Sequence, residues 1–198
     1  MINFIDISVS EPYVKFKNLY DDAFKKNQKA IEAICISSYD AELKEADARF
    51  VNLKYIKGDE WIFFSNYNGP KAKQFNESNK ISATLYWYKT NTQIRIKGII
   101  KKTEASFSDK HFLSRDKEKN AIAISSNQSA KIESYEAVLE QQELVLKSNE
   151  TLNRPNYWGG YSFTPYYFEF WEGHAKRANK RRCFKLIENS WDSTYLQP

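Results

Sequence analysis

A chain of 198 residues with 41% apolar and 16% aromatic residues can bury one full-sized core, and no Pro/Gly/Ser-rich linker divides it, so residues 1–198 are expected to form a single domain. A mean hydropathy of −0.69 and the lack of a long uncharged apolar run exclude a membrane-spanning helix, and the opening Met1-Ile2-Asn3-Phe4-Ile5-Asp6 lacks the cationic-then-apolar order of a secretory leader, which makes the cytoplasm the expected setting. The net charge of +5 and pI near 9.0 are moderately basic, which suits a protein that holds phosphate monoesters as well as one that meets nucleic acid.

In chain order, Tyr13, Phe16, Leu19, Tyr20, Ala23 and Phe24 recur at the spacing of one helical face and predict an N-terminal amphipathic helix over 12–28. Short β-branched or alternating runs predict strands over 31–36, 48–56 and 61–65, with Gly58-Asp59 turning between the last two. Pro70 suits the first turn of a short helix reaching residue 76, and 81–88 with 92–102 read as a hairpin about Lys89-Thr90-Asn91. Helices follow over 107–113 and 131–147, the second with Ile132, Val138, Leu139 and Leu146 as inward positions. Strands return over 162–171, 182–187 and 191–196, with a turn at Asn189-Ser190. Many short strands with a few helices predict a mainly β, α+β domain: an antiparallel barrel flanked by helices.

Several groups are disfavoured. Cys35 and Cys183 stand alone without any Cys-x-x-Cys, His111 and His174 are far apart, and there is no nucleophile elbow, so a disulfide framework, a metal centre and a Ser/His triad all lack support. At least one cysteine is expected to be buried and both reduced. The residues that could carry chemistry are cations, amides and rings. Asp47-Ala48-Arg49-Phe50-Val51-Asn52-Leu53-Lys54 reads as a strand whose Arg49 and Lys54 differ in parity, and so face opposite ways about 16 Å apart if the strand is regular. Phe64-Ser65-Asn66 leads to Lys71 across a helix start, where unpaired N–H groups and the dipole favour an anion. Gln93, Arg95 and Lys97 alternate with isoleucines and share one strand face. An aromatic strand, Phe168-Glu169-Phe170-Trp171-Glu172-Gly173, runs into the basic stretch 176–182. Rings that pack flat and guanidinium groups that fork onto oxygens suit a planar anionic ligand.

Taken together, these segments resemble the pyridoxamine 5'-phosphate oxidases over about residues 12–198. Arg154-Pro155-Asn156-Tyr157-Trp158-Gly159-Gly160-Tyr161, Pro165 and Glu169-Phe170-Trp171-Glu172-Gly173 resemble the family's R-P-x-x-W-G-G-Y, P, E-F-W-x-G signature, and Arg177 and Arg181 fall on the arginines of R-L-H-D-R. Residues 49–54 resemble R-x-V-L-L-K with Asn52 for a Leu, and 63–71 resemble F-Y-T-N-x-x-S-R-K with Pro70 in place of the Arg. Thr92-Gln93-Ile94-Arg95 resembles R-Q-V-R, and His111-Phe112-Leu113-Ser114-Arg115 followed by Ser125-Ser126-Asn127-Gln128-Ser129 resembles Y-F-x-S-R and S-x-Q-S.

The resemblance implies an FMN-binding split β-barrel that works as a homodimer with flavin sites between two chains, residues 155–198 supplying the dimerisation and active-site region. It implies flavin contacts at Arg49, Phe50, Val51, Asn52, Leu53, Lys54, Phe64, Ser65, Lys71, Gln93, Gln128, Ser129, Trp171 and Arg181. Substrate contacts fall at Lys54, His111, Arg115, Lys119, Arg177 and Asn179, with Arg177 the catalytic position over the ring. Here His111 replaces a Tyr, Lys119 a Ser and Asn179 a His, and Asn cannot titrate near neutrality. The activity implied is oxidation of pyridoxamine or pyridoxine 5'-phosphate to pyridoxal 5'-phosphate, with molecular oxygen becoming peroxide. The altered positions leave open a related oxidase acting on another anionic ring, as in phenazine biosynthesis. A nucleic-acid-binding barrel built on the tyrosines and the 176–182 run is the reading from another class.

Overall fold

The computed structural model describes residues 1–148 and 150–198. Its strands are β1 (Asn3–Ile5), β2 (Ala33–Asp40), β3 (Glu45–Asn52), β4 (Tyr55–Lys57), β5 (Glu60–Asn66), β6 (Lys80–Trp87), β7 (Thr92–Lys102), β8 (Trp158–Glu172), β9 (Lys180–Ile187) and β10 (Ser190–Leu196). The helices are α1 (Glu11–Lys25), α2 (Pro70–Glu77), α3 (Ala105–Leu113), α4 (Lys117–Ser125) and α5 (Tyr135–Lys147). All ten strands belong to one sheet, whose main path runs β1-β4-β5-β8-β7-β6-β2-β3, with the β9-β10 hairpin branching from β8. The sheet curls without hydrogen-bonded closure among the described strands, which is the expected split barrel.

Strand β8 makes the branch possible. Its first part pairs with β5 from Trp158 to Phe163, its last part pairs with β9 from Tyr167 to Glu172, and β7 runs along its other edge throughout. Pro165 sits where the β7 register shifts, between the two halves, where a residue without an N–H is tolerated. Opposite it, Gly98 is required because a Cβ there would lie 2.8 Å from the Thr164 carbonyl oxygen.

Helix α1 supplies much of the core. Phe16 is fully buried and its ring meets Trp61 at 4.5 Å and Trp87 at 5.6 Å, while Tyr13 meets Phe168 edge-on at 5.2 Å. The expected alternation on β7 is also present, with Ile94 and Ile96 buried and Arg95 and Lys97 exposed.

Several boundaries differ from those read in the sequence. The strand expected at 31–36 runs from Ala33 to Asp40, and the run at 48–56 is two strands, β3 and β4. The chain crosses from one to the other at Leu53-Lys54, where Leu53 N–H donates to Glu32 and Lys54 N–H to Ile62. The last hairpin turns at Glu188-Asn189, both in the left-handed region at φ 47° and 69°, one residue earlier than expected. β1, which pairs with β4 in parallel, is too short to show a period, and the apolar residues of α4, Ala121 to Ile124, are consecutive and mark no single face. Helix α5 starts at Tyr135 because Ser134 caps it, its hydroxyl accepting from Ala137 N–H at 3.1 Å. Its expected inward residues Ile132, Leu139 and Leu146 are exposed on this single chain, and Val138 is half-buried. Both cysteines are free and Cys183 is buried.

Replacing Phe16 with Ala should lower unfolding free energy by roughly 3–5 kcal/mol. Phe24→Ala on the same helix, at a side chain 50% exposed, should cost less than about 1 kcal/mol. Equilibrium urea denaturation of the two variants measures the difference.

Candidate functional site

A cleft of about 1440 Å³ opens between β3, the Leu53–Tyr55 crossing, the end of β5, the start of α2, helices α3 and α4, and the segment 126–132. It gathers Arg49, Phe50, Val51, Asn52, Lys54, Phe64, Ser65, Lys71, His111, Arg115, Lys119, Gln128 and Ser129, which lie far apart in sequence. Leu53 does not join them, because its side chain is fully buried in the core. The break between β3 and β4 also corrects the parity argument: with no continuous strand from Arg49 to Lys54, both residues line the same cleft.

One part of the cleft is built on α2 and β3. Lys71 is only 7% exposed, and its ammonium donates to Gln128 Oε1 at 2.6 Å, an oxygen that also accepts from Ser65 Oγ at 3.3 Å. No carboxylate pairs with Lys71 among the described residues. Burial, then the neighbouring Arg49 charge, hold its pKa below the usual lysine value against the opposing pull of Asp47. Arg49 is fixed by Asp47, Ser38 and Gln74. Pro70 occupies the first helical position and brings no donor. Gly69 lets Gln128 come close, since a Cβ there would lie 2.9 Å from Gln128 Oε1.

Another part is a stack of flat groups. The His111 ring lies on Phe64 at 3.8 Å and 15°, Phe64 lies near-parallel to Trp158 at 5.3 Å, and the Arg115 guanidinium covers Trp158 at 4.4 Å. Arg115 donates to the Lys119 carbonyl at 2.9 Å, but its other terminal nitrogen is buried with no partner, and Ser125 Oγ on the cleft wall is likewise unpaired. Buried donors are nearly always satisfied, so these two stand out on the cleft wall. His111 Nδ1 shares a 2.9 Å hydrogen bond with the Tyr55 hydroxyl. Burial, then Arg115 and Lys54, push the His111 pKa down to about 4, leaving the ring neutral near pH 7. The Lys119 ammonium is tied to Asp116 at 2.5 Å.

Gln93, Trp171, Arg177, Asn179 and Arg181 do not line this cleft. Gln93, Trp171 and Arg181 occupy one row across β7, β8 and β9, because each is the register partner of the next. Arg177 is exposed in the turn before β9 at φ 61°, and Asn179 Oδ1 accepts from His174 N–H at 3.0 Å. In the basic run, Arg181 is paired with Glu169, Arg182 with Glu11 and Lys180 with Glu172, so three of its five cations are already engaged within the chain. Sequence reasoning missed Tyr55, Ser125 and Trp158 as cleft residues. Trp158 and Ser125 stood inside segments already singled out, whereas nothing in the sequence marked Tyr55.

A family model described as the pyridoxine 5'-phosphate oxidase C-terminal dimerisation region matches residues 158–198. A pyridoxine/pyridoxamine 5'-phosphate oxidase from Hydrogenovibrio crunogenus is 32% identical over 194 residues, covering 96% of this chain and 89% of that protein. One from Nostoc sp. is 33% identical over 191 residues, covering 94% and 88%. Among solved structures, PhzG from Burkholderia lata 383, in complex with tetrahydrophenazine-1-carboxylic acid, superposes with a TM-score of 0.90 at 26% identity, covering 96% of this chain and 93% of that one.

The low His111 pKa carries a sign. Its unfolded value near 6.5 lies above its folded value of about 4, so the unfolded chain binds an extra proton between them, and stability falls as pH is lowered through that window. His111→Gln should flatten this slope, by at most about 1.4 kcal/mol per pH unit, in urea melts at pH 7, 6 and 5. The His111 ring resonances should titrate near pH 4 rather than 6.5.

Proposed function

Because the chain belongs to the pyridoxine/pyridoxamine 5'-phosphate oxidase family, we propose that it is an FMN-dependent oxidase that converts pyridoxamine or pyridoxine 5'-phosphate to pyridoxal 5'-phosphate, with oxygen as acceptor and peroxide as product. The observation that carries this reading is the pair of unsatisfied cations, Lys71 without a carboxylate and Arg115 with a buried unpaired nitrogen, lining one cleft. An anionic nucleotide and an anionic substrate are what would satisfy them.

The residues present fit FMN. Lys71, Arg49, Ser65 and Gln128 offer two cations, a hydroxyl and an amide, which suit a phosphate and a ribityl chain, although Pro70 removes one donor that relatives of the resemblance have. When bound, the flavin supplies hydride acceptance, which no side chain here can provide. The protein's part is orientation and charge. Lys54 and Arg115 attract the substrate phosphate, and the stack of His111, Phe64 and Trp158 keeps the Arg115 plane fixed. Neutral His111 adds a hydrogen bond through Tyr55 without further charge. Holding two rings in contact geometry accounts for rate by positioning.

Arg177 and Asn179, proposed to meet the substrate ring, and Gln93, Trp171 and Arg181, proposed to meet the flavin, all lie outside the cleft of their own chain. We assign them to the cleft of a second copy, which makes the active unit a homodimer with two composite sites. Free cysteines and small soluble reactants support a cytoplasmic setting. A second reading, oxidation of another anionic ring, draws on the superposition with PhzG and on His111 and Asn179 at altered substrate positions.

Adding FMN to purified protein and measuring peroxide with pyridoxine phosphate and with pyridoxamine phosphate tests the assignment, and release with neither despite bound flavin favours the second reading. Arg177→Ala should abolish turnover while flavin is retained. If the site is composite, mixing inactive Arg115→Ala with inactive Arg177→Ala and letting subunits exchange should restore about a quarter of wild-type activity, since half the dimers are mixed and each holds one intact site. No recovery after verified exchange would refute the two-chain site.

A further inference from the structure

Glu169 is the only buried carboxylate among the described residues, at 2% exposure. Its Oε1 accepts from Arg181 Nε at 2.9 Å and lies 2.8 Å from a second nitrogen of the same guanidinium. Its Oε2 accepts from Arg95 at 3.0 Å and from the Tyr167 hydroxyl at 3.0 Å. In register, Glu169 faces Arg95 on β7 and Cys183 on β9, while Trp171, two residues along on the same face, faces Gln93 and Arg181. The Arg181 side chain therefore reaches diagonally back along the sheet to Glu169 instead of extending into solvent. Its remaining terminal nitrogen donates to the Gln197 carbonyl at 2.8 Å.

A buried carboxylate costs desolvation energy that a partner recovers only with good geometry and further hydrogen bonds. Here two guanidinium groups share it, so the cluster keeps a net positive charge beside the Gln93-Trp171-Arg181 row. That surplus marks an anchored cation, aimed and immobilised, more than a structural ion pair. We propose that Glu169 is a positioning residue that holds the Arg181 guanidinium beside Trp171 for contact with the flavin nucleotide. This rests on the reading that Arg181 meets FMN. Preorganising a long side chain in this way removes rotamer freedom that binding would otherwise have to remove.

The test is FMN affinity of the full-length apoprotein, read by quenching of flavin fluorescence, alongside apoprotein melting temperatures. Glu169→Gln keeps the volume and removes the charge, and it should raise the FMN Kd about tenfold, the scale of one charge-assisted hydrogen bond. Arg181→Ala should raise it at least as much, and the double variant should be no weaker than Arg181→Ala alone. Arg95→Met removes another Glu169 partner and should lower the melting temperature while leaving the Kd at the wild-type value. If Glu169→Gln does not fold, Glu169→Asp, which keeps the charge but withdraws it, carries the same expectation. Effects of Glu169→Gln and Arg181→Ala that multiply in the double variant, or a Kd unchanged by Glu169→Gln when Arg181→Ala weakens binding, would overturn the positioning role. A Kd unchanged by Arg181→Ala would overturn it by a different route, removing the flavin contact assigned to Arg181 in the proposed function.

Discussion

Lys71 lies almost wholly out of water with an amide oxygen, not a carboxylate, as its acceptor, and a second cation, Arg49, presses its pKa down. Removing an ammonium from water costs several kcal/mol even after relaxation, and a neutral acceptor recovers only part of that. The fold tolerates this because the rest of the structure is strongly determined: an aromatic core centred on Phe16, Trp61, Trp87 and Phe168, and a sheet whose longest strand pairs on both edges. The energy stored in the unsatisfied cation is available to whatever anion enters. Much of the cleft's chemistry follows from that one imbalance.

The same accounting separates the cations of the chain into two kinds. Arg181, Arg182, Lys180 and Lys119 each have an acidic partner within the chain, although Arg181 shares Glu169 with Arg95 and Lys180 shares Glu172 with Lys15. Lys71 has none among the described residues, and Arg115 has a buried nitrogen with no acceptor. In the sequence these residues look alike. The run 176–182 is the densest basic stretch and the most conspicuous, yet three of its five cations are ion-paired, while Lys71 and Arg115 stand singly along the chain.

Legibility in the sequence followed locality. The α1 face, the β6-β7 hairpin and the β7 alternation were readable because each depends on a period within one element. The split of 48–56 into two strands was not, because it depends on Leu53 and Lys54 finding Glu32 and Ile62, partners distant in sequence. For the same reason Arg49 and Lys54 were expected on opposite faces and are found in one cleft. The outward apolar face of α5 is a different case. It was read as helical with its apolar residues inward, but apolar side chains on a helix do not say whether the same chain covers them, and here Ile132, Leu139 and Leu146 are exposed. Motif resemblance reached further into the site than periodicity did, placing Gln128, Ser65 and Lys71 together across more than sixty residues, but it could not supply Tyr55, whose importance is a matter of who stands next to it.

His111 shows how such a neighbour changes a substitution's meaning. Taken alone, a histidine where the resemblance expects a tyrosine adds a titratable group to a site meant for a phosphate, and a charged imidazolium would strengthen anion binding at low pH. In the structure the ring is sandwiched on Phe64, faced by Arg115 and Lys54, and hydrogen-bonded to Tyr55, so protonation would bring a third positive charge into a poorly hydrated space. It stays neutral, and the Tyr55-His111 pair offers a hydroxyl and a ring nitrogen where a single phenol is expected. The change therefore preserves the charge of this part of the cleft, which Lys54 and Arg115 set, and alters its shape and hydrogen-bond pattern. What the substitution changes in this part of the cleft is therefore its outline and its hydrogen-bonding groups, not its charge.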